Sequence, residues 1–217
     1  MSIVIVCMTK DKVVIASDSK VTNEKNNNEK SSKIFQITSD LVAYGVGNRY
    51  IVLKYFDILQ KAKEYYNGDI HYDDVLQIQN DWKNIVERDP VFSGQFGAIG
   101  ICSVEDNNIC ATTILVDAKD HFEYQNITRP NNDLSFYILP PSDLTNEFCN
   151  SMFKSHLLPT LGEVYLETLI CSCADLIHTL SQISSVLDNQ VQYWAYDCKR
   201  KITAKKLIES LPEEFSS

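Results

Sequence analysis

The sequence predicts an α+β domain of stacked layers, and three observations carry that prediction. The order of elements reads strands, two helices, strands, two helices, strand. The first strands are apolar on successive residues rather than on alternate ones, which is the pattern of strands covered on both faces, as in the inner part of a layered sandwich. A chain of 217 residues with 44% apolar content fills one sizeable core without disulfides or metals. One domain spanning 1–217 is therefore expected.

Ile3 to Cys7 and Val13 to Ala16 are nearly unbroken β-branched runs, and the polar stretch Thr9-Lys10-Asp11-Lys12 between them reads as the turn of a hairpin. Asn23 to Lys30 is polar and lacks periodicity, so it reads as a solvated loop. Short strands follow at Ile34 to Ile37 and Leu41 to Val46. Gly47-Asn48 then opens a helix from about Arg49 to Tyr66, in which Val52, Tyr55, Phe56, Leu59 and Ala62 recur at helical spacing. A second helix runs from about Asp73, read as its N-cap, to Arg88. Strands at Phe96 to Val104 and Ile109 to Val116 are joined by the turn Glu105-Asp106-Asn107-Asn108, with weaker strands near His121 to Ile127 and Ser135 to Leu139. Helices are expected over about Ser142 to His156 and Gly162 to Ile183, followed by a strand at Gln190 to Tyr196 and a short terminal helix.

A net charge of −9 disfavours nucleic acid and anionic membrane surfaces as partners, because both repel an acidic surface. The seven cysteines form no C-x-x-C, and the four histidines do not pair with them at metal-ligand spacings. Neither a metal nor another cofactor is expected. With no secretory signal and no run of eighteen apolar residues, the expected location is cytoplasmic.

A turn centred on Lys10 sets Ser2 opposite Asp18, since antiparallel partners are fixed by the turn, and a turn shifted by one residue moves the pairing only one rung. A hydroxyl near the chain start and a carboxylate are thus brought together. An aspartate at a strand end also serves as a turn or capping residue, so this pairing alone assigns no chemistry.

Read further, the pattern is V-V-I-A-S-D-S-K-V-T, then S-K-I-F, then A-Y-G-V-G-N-R-Y at the entrance to a helix. It resembles the β subunits of proteasomes and their bacterial relatives, the N-terminal-nucleophile (Ntn) hydrolases. The family's terminal Thr or Ser matches Ser2. Its D-S-x-x-T motif matches Asp18, Ser19 and Thr22. The lysine before a short apolar strand matches Lys33, and the glycine supplying an oxyanion-hole amide matches Gly47. The resemblance is good over residues 2 to about 60 and rests on element order beyond. It implies a four-layer αββα sandwich, two facing antiparallel sheets with helices outside. It also implies a homo-oligomeric ring, a peptide or small amide as substrate, and an ATP-dependent unfoldase as a partner.

The chemistry explains why such residues belong together. A serine hydroxyl needs a base, and an α-amino group with a pKa of about 7.7 to 8.0 is one poised near neutrality. The resemblance makes Ser2 the nucleophile and its own amine the base once Met1 is removed. Lys33 would favour the alkoxide, Asp18 would hold that lysine charged and oriented, and Gly47 N–H would face the oxyanion, a contribution of about 2.7 to 4 kcal/mol.

The C-terminal half departs from the family. Its G-S-G turn is replaced by Pro141-Ser142-Asp143, which keeps the serine but neither glycine, and its D-x-x-S-G-G by Ser184-Ser185-Val186-Leu187-Asp188-Asn189, so the auxiliary Asp and Ser are not matched and Ser184 or Ser185 would substitute in part. Cys171 and Cys173 read as packed thiols on a helix, and His178 as a core or interface residue rather than a base. The leading expectation is an N-terminal-serine amidohydrolase or peptidase, with a small-amide hydrolase as a variant sharing its nucleophile. The rival is a catalytically inactive scaffold or interaction subunit of the same fold.

Overall fold

In the computed structural model the residues described are 2–21, 29–30, 32–92, 95–105, 108–116, 124–128, 134–156 and 165–207. Among them the chain divides into two compact units, one taking the residues up to Ile34 and from Leu134 onward, the other those from Phe35 to Thr128.

In the first unit, β1 (Val4–Met8) and β2 (Lys12–Asp18) form the expected hairpin. Its register is one rung from the expected one: Val4 lies opposite Ser17, which sets Ile3, not Ser2, level with Asp18. The turn itself accounts for the shift, because the Thr9 amide bonds the Lys12 carbonyl and the Thr9 hydroxyl accepts the Asp11 and Lys12 amides, which places the reversal at Lys10-Asp11. A short two-residue ladder joins β3 (Lys20–Val21) to β4 (Glu29–Lys30), so the end of the polar stretch is paired rather than loop. β10 (Ser135–Leu139), β11 (Val191–Asp197) and β12 (Ile202–Lys206) complete a five-stranded antiparallel sheet in the order β10-β1-β2-β11-β12.

Helices α3 (Asn146–His156) and α4 (Leu166–Ser181) cover one face of this sheet. Ile3, Ile5, Cys7, Val14 and Ala16 share a core there with Phe153 of α3 and Leu169, Cys173 and Leu176 of α4. The alternate residues Val4, Val6, Met8, Val13 and Ile15 are buried too, which is the two-sided burial that their unbroken apolar run predicts. Residues 208–217, at the chain end where a short helix was expected, lie outside the described residues, and β12 follows β11 where no strand was expected. Four of its five residues are exposed, and an edge strand with no buried alternation carries no strand signal in its sequence.

The second unit has β5 (Ile34–Gln36), β6 (Leu41–Gly47), β7 (Gly97–Glu105), β8 (Asn108–Val116) and β9 (Tyr124–Thr128), hydrogen-bonded in chain order. Residues 121–123 and the turn residues 106 and 107 lie outside the described part. Helices α1 (Arg49–Tyr65) and α2 (Tyr72–Arg88) pack Tyr55, Phe56, Leu59, Val75 and Trp82 against Ala43, Ile99 and Ile101. The aromatic helix α1 is thus core on one side, with Tyr50 and Tyr65 exposed on the other. The N-cap of α2 is His71 rather than Asp73, because the Asp74 carboxylate closes a capping box on the His71 amide at 3.0 Å. Gly100 has no side chain because a Cβ there would strike the ring of Tyr44, whose hydroxyl pairs with Thr113 at 2.7 Å. These findings establish a mixed α+β fold with two five-stranded antiparallel sheets, the short β3–β4 ladder and four α-helices among the described residues.

Candidate functional site

β2 ends at Asp18, whose side chain water does not reach. One carboxylate oxygen accepts the Ile3 amide at 3.1 Å and the Lys33 ammonium at 2.8 Å, and the other accepts the Lys20 amide at 3.2 Å. The Ile3 amide belongs to the peptide unit that joins it to Ser2, so Asp18 ties the start of the chain to Lys33. Lys33, in the bend before β5, is itself only 6% exposed. Burial pushes the Asp18 carboxyl up from its ordinary value, against the opposing charge and hydrogen bond of Lys33 and the Ile3 amide. Burial likewise pushes the Lys33 ammonium down, against the pull of Asp18 and of the nearby Asp188 charge. Removal from water thus outweighs pairing for both partners.

The Ser2 hydroxyl donates to the Lys20 carbonyl at 3.1 Å, and the Lys20 ammonium in turn donates to the Ser185 carbonyl at 2.8 Å. The segment before β11 is bound to the end of β2 a second time. Asp188 accepts the Ser19 amide at 3.1 Å and the Ser19 hydroxyl at 2.7 Å. Gln192, on β11 and 1% exposed, donates to the Asp18 carbonyl at 3.0 Å. Ser2, Asp18, Ser19, Lys20, Lys33, Asp188 and Gln192 therefore form one polar network at one end of the first unit's sheet.

Ser184 and Ser142 differ in their placement. The Ser184 hydroxyl donates to Asp143 at 2.8 Å, and the Ser185 amide donates to the same carboxylate at 3.0 Å. Burial acts to raise the Asp143 carboxyl, but these hydrogen bonds outweigh it and hold the group below its ordinary value. Ser142 is exposed, and the acid beside it makes the contact. Gly47 belongs to the second unit, at the last position of β6 and directly before the α1 N-cap Asn48. Its φ of 99° and the 2.6 Å that would separate a Cβ from the Phe96 carbonyl both require glycine. Thr22 and Met1 lie outside the described residues.

Sequence reasoning did not assign roles to Asp188 and Gln192. Asp188 stood in a segment read as a departure from the family pattern. Gln192 is the buried polar residue between Val191 and Tyr193 of an otherwise apolar strand, and that interruption was its signal. His178 is exposed on α4 and outside the core, as is Cys171, whereas Cys173 is buried. No grouping of three His, Cys, Asp or Glu side chains among the described residues could hold a metal ion, and none of the described helices is long and apolar enough to cross a membrane.

No protein-family model matches the sequence, and no curated protein matches it. The architecture defines the class instead: the chain has a proteasome-like fold. The particular likeness is to the crystal structure of eukaryotic HslV from Trypanosoma brucei, with a TM-score of 0.57 and 13% identity, over 90% of this chain and 99% of that one. At that identity the likeness bears on the fold.

Proposed function

We propose that this chain is an N-terminal-serine amidohydrolase or peptidase, a single proteasome-like Ntn hydrolase domain over 1–217 arranged as a four-layer αββα sandwich. The observation that carries the reading is the buried Lys33–Asp18 pair at 2.8 Å, bound through Ile3 to the peptide unit next to Ser2. With residue 1 removed, the Ser2 amine takes the proton from its own hydroxyl. The oxygen then bonds to the substrate carbonyl carbon, the C–N bond breaks, and the leaving amine departs with that proton. Water, deprotonated by the same amine, hydrolyses the resulting ester. Lys33 stabilises the developing alkoxide. The substrate is a peptide or small amide. A homo-oligomeric ring, an ATP-dependent unfoldase as partner and a cytoplasmic location belong to the same reading, and nucleic acid and membrane do not.

An epoxyketone, which reacts with a hydroxyl and an adjacent amine, tests it. In a sample shown by intact mass to lack Met1, it modifies Ser2, the Ser2→Ala variant is not modified, and Lys33→Ala is modified far more slowly. Equal labelling of wild type and Ser2→Ala refutes the assignment. One observation favours the rival, an inactive scaffold: the Ser184 hydroxyl and the Ser185 amide are both committed to Asp143. Absence of labelling from a Met-free sample would select that rival.

A further inference from the structure

We infer that Gln192 is a positioning residue for the Lys33–Asp18 pair, its one side-chain amide fixing the backbone at both ends of that pair. The inference rests on the catalytic reading for its consequence, though not for its geometry. Gln192 lies on β11 level with Ser17 of β2, 1% exposed. Its NH2 group donates to the Asp18 carbonyl at 3.0 Å. Its carbonyl oxygen accepts the Lys33 amide at 3.4 Å and the Ser32 hydroxyl at 3.3 Å. Asp18 and Lys33 are fifteen residues apart and meet at their side chains through a single ammonium contact. The same two residues meet again at their backbones through Gln192.

The need for such a device follows from the chain around Lys33. Lys33 precedes the first residue of β5, so the strand ladder begins only after it, and its amide is taken by a side chain instead. A lysine is rich in rotamers, and its ammonium sits at the end of four methylenes. Unless the backbone is fixed, the entropy of those rotamers competes directly with the ion pair. A carboxamide supplies this fixing with one donor and one acceptor in a rigid plane, without adding charge beside Asp18. Glutamate in its place would set a carboxylate against the Asp18 carbonyl, and methionine would remove the acceptor of the Lys33 amide and leave the Asp18 carbonyl with the Ser17 hydroxyl alone among side-chain donors.

The test uses Gln192→Met, with two readouts. The first is the 13Cε resonance of Lys33 in protein carrying [13Cε]lysine, assigned by its loss in Lys33→Arg. It is distinct from the exposed lysines in the wild type and moves onto them in Gln192→Met. The second is the rate of epoxyketone labelling of Ser2. Displacing a charged group by about an ångström costs on the order of 100-fold, so the maximal labelling rate of Gln192→Met falls by about 10- to 100-fold while the probe's half-saturating concentration stays constant. In a Lys33→Ala background, Gln192→Met changes that rate less than about twofold, because the residue it acts through is already gone. A folded Gln192→Met with an unmoved Lys33 resonance overturns the inference, as does a full loss of rate repeated in the Lys33→Ala background. If Gln192→Met does not fold, Gln192→Asn, which keeps the uncharged carboxamide but withdraws it by one methylene, carries both readouts. If the wild type is not labelled at all, the catalytic reading falls and the resonance still decides the positioning.

Discussion

Replacing Lys33 by methionine removes the cation from a carboxylate that water does not reach. Methionine retains most of the aliphatic stem, so the loss concerns charge rather than volume. The Asp18 side chain is 0% exposed and that of Lys33 7%, so neither group recovers solvation in the folded state. Removing one partner of a buried pair costs about 3–5 kcal/mol. The lower figure applies here, because Asp18 keeps the Ile3 and Lys20 amides. For a chain of 217 residues, about 3 kcal/mol lowers the melting temperature by roughly 6–12 °C. The deficit also depends on pH. Asp18 already titrates above its ordinary value because of burial, and losing Lys33 raises it further. A carboxyl whose folded value lies above its unfolded one contributes stability that is present at low pH and lost as pH rises through the folded value. The gap between variant and wild type, measured by urea denaturation followed by circular dichroism, therefore narrows as pH falls from 7 toward 4. A variant within about 0.5 kcal/mol of wild type at pH 7, or a gap that widens in acid, would refute this account of the pair.

At the hairpin turn, burial acts to raise the Asp11 carboxyl, but hydrogen bonds from Lys199 and Lys12 and the Lys12 charge hold it down to about 2. Asp11→Asn therefore costs up to about 2 kcal/mol at pH 7, a deficit that fades as pH falls from about 4 to 2 and is read from denaturation curves across that range. Gly47→Ala forces a side chain into φ 99° against the Phe96 carbonyl, and costs at least about 1–2 kcal/mol in a thermal melt. Ser184→Ala removes the strongest of the hydrogen bonds that hold the Asp143 carboxyl down, so that group titrates closer to its ordinary value by 13C NMR.

What the sequence conveyed follows from how local each signal is. The β1–β2 hairpin, α1 and α2, and the β7–β8 pair are written in contiguous apolar patterns, and they were legible to within a few residues. The N-cap of α2 was misplaced because Asp73 and Asp74 both suit a first turn, and only the His71–Asp74 bond decides which residue caps. β12 escaped notice because five residues on a sheet edge bury nothing that a pattern could record. Within the site, Asp18 and Lys33 were found through a resemblance that named them. Asp188 and Gln192 join it across 169 and 174 residues of chain, through Ser19 and Asp18. No window of sequence contains both ends of such a contact. Gln192 still announced itself as a polar residue inside an apolar strand, a local conflict of the kind that marks functional positions.

The first hairpin offers an internal comparison that bears on function. Both of its ends carry an aspartate paired with lysine, Asp11 with Lys199 at 2.7 Å and Lys12 at 3.0 Å, and, among the described residues, Asp18 with Lys33 alone at 2.8 Å. The two carboxyls nevertheless move in opposite directions. Asp11 falls to about 2, so its ionised form is better accommodated in the folded chain than in the unfolded one, and the pair stabilises the turn. Asp18 rises and Lys33 falls, so burial outweighs pairing and the ionised pair opposes folding. Apolar residues of similar volume in place of such a pair are often neutral, or stabilising by about 1–4 kcal/mol. Ion pairing therefore stabilises the turn, whereas beside Ser2 it does not offset the removal of both charges from water. Filling that space with leucine and methionine would leave the Ile3 and Lys20 amides without their carboxylate acceptor, so part of what Asp18 does there is structural. What remains is a buried lysine held by its carboxylate at 2.8 Å, the arrangement that the proposed reaction of Ser2 calls for and that the Lys33→Ala labelling experiment tests.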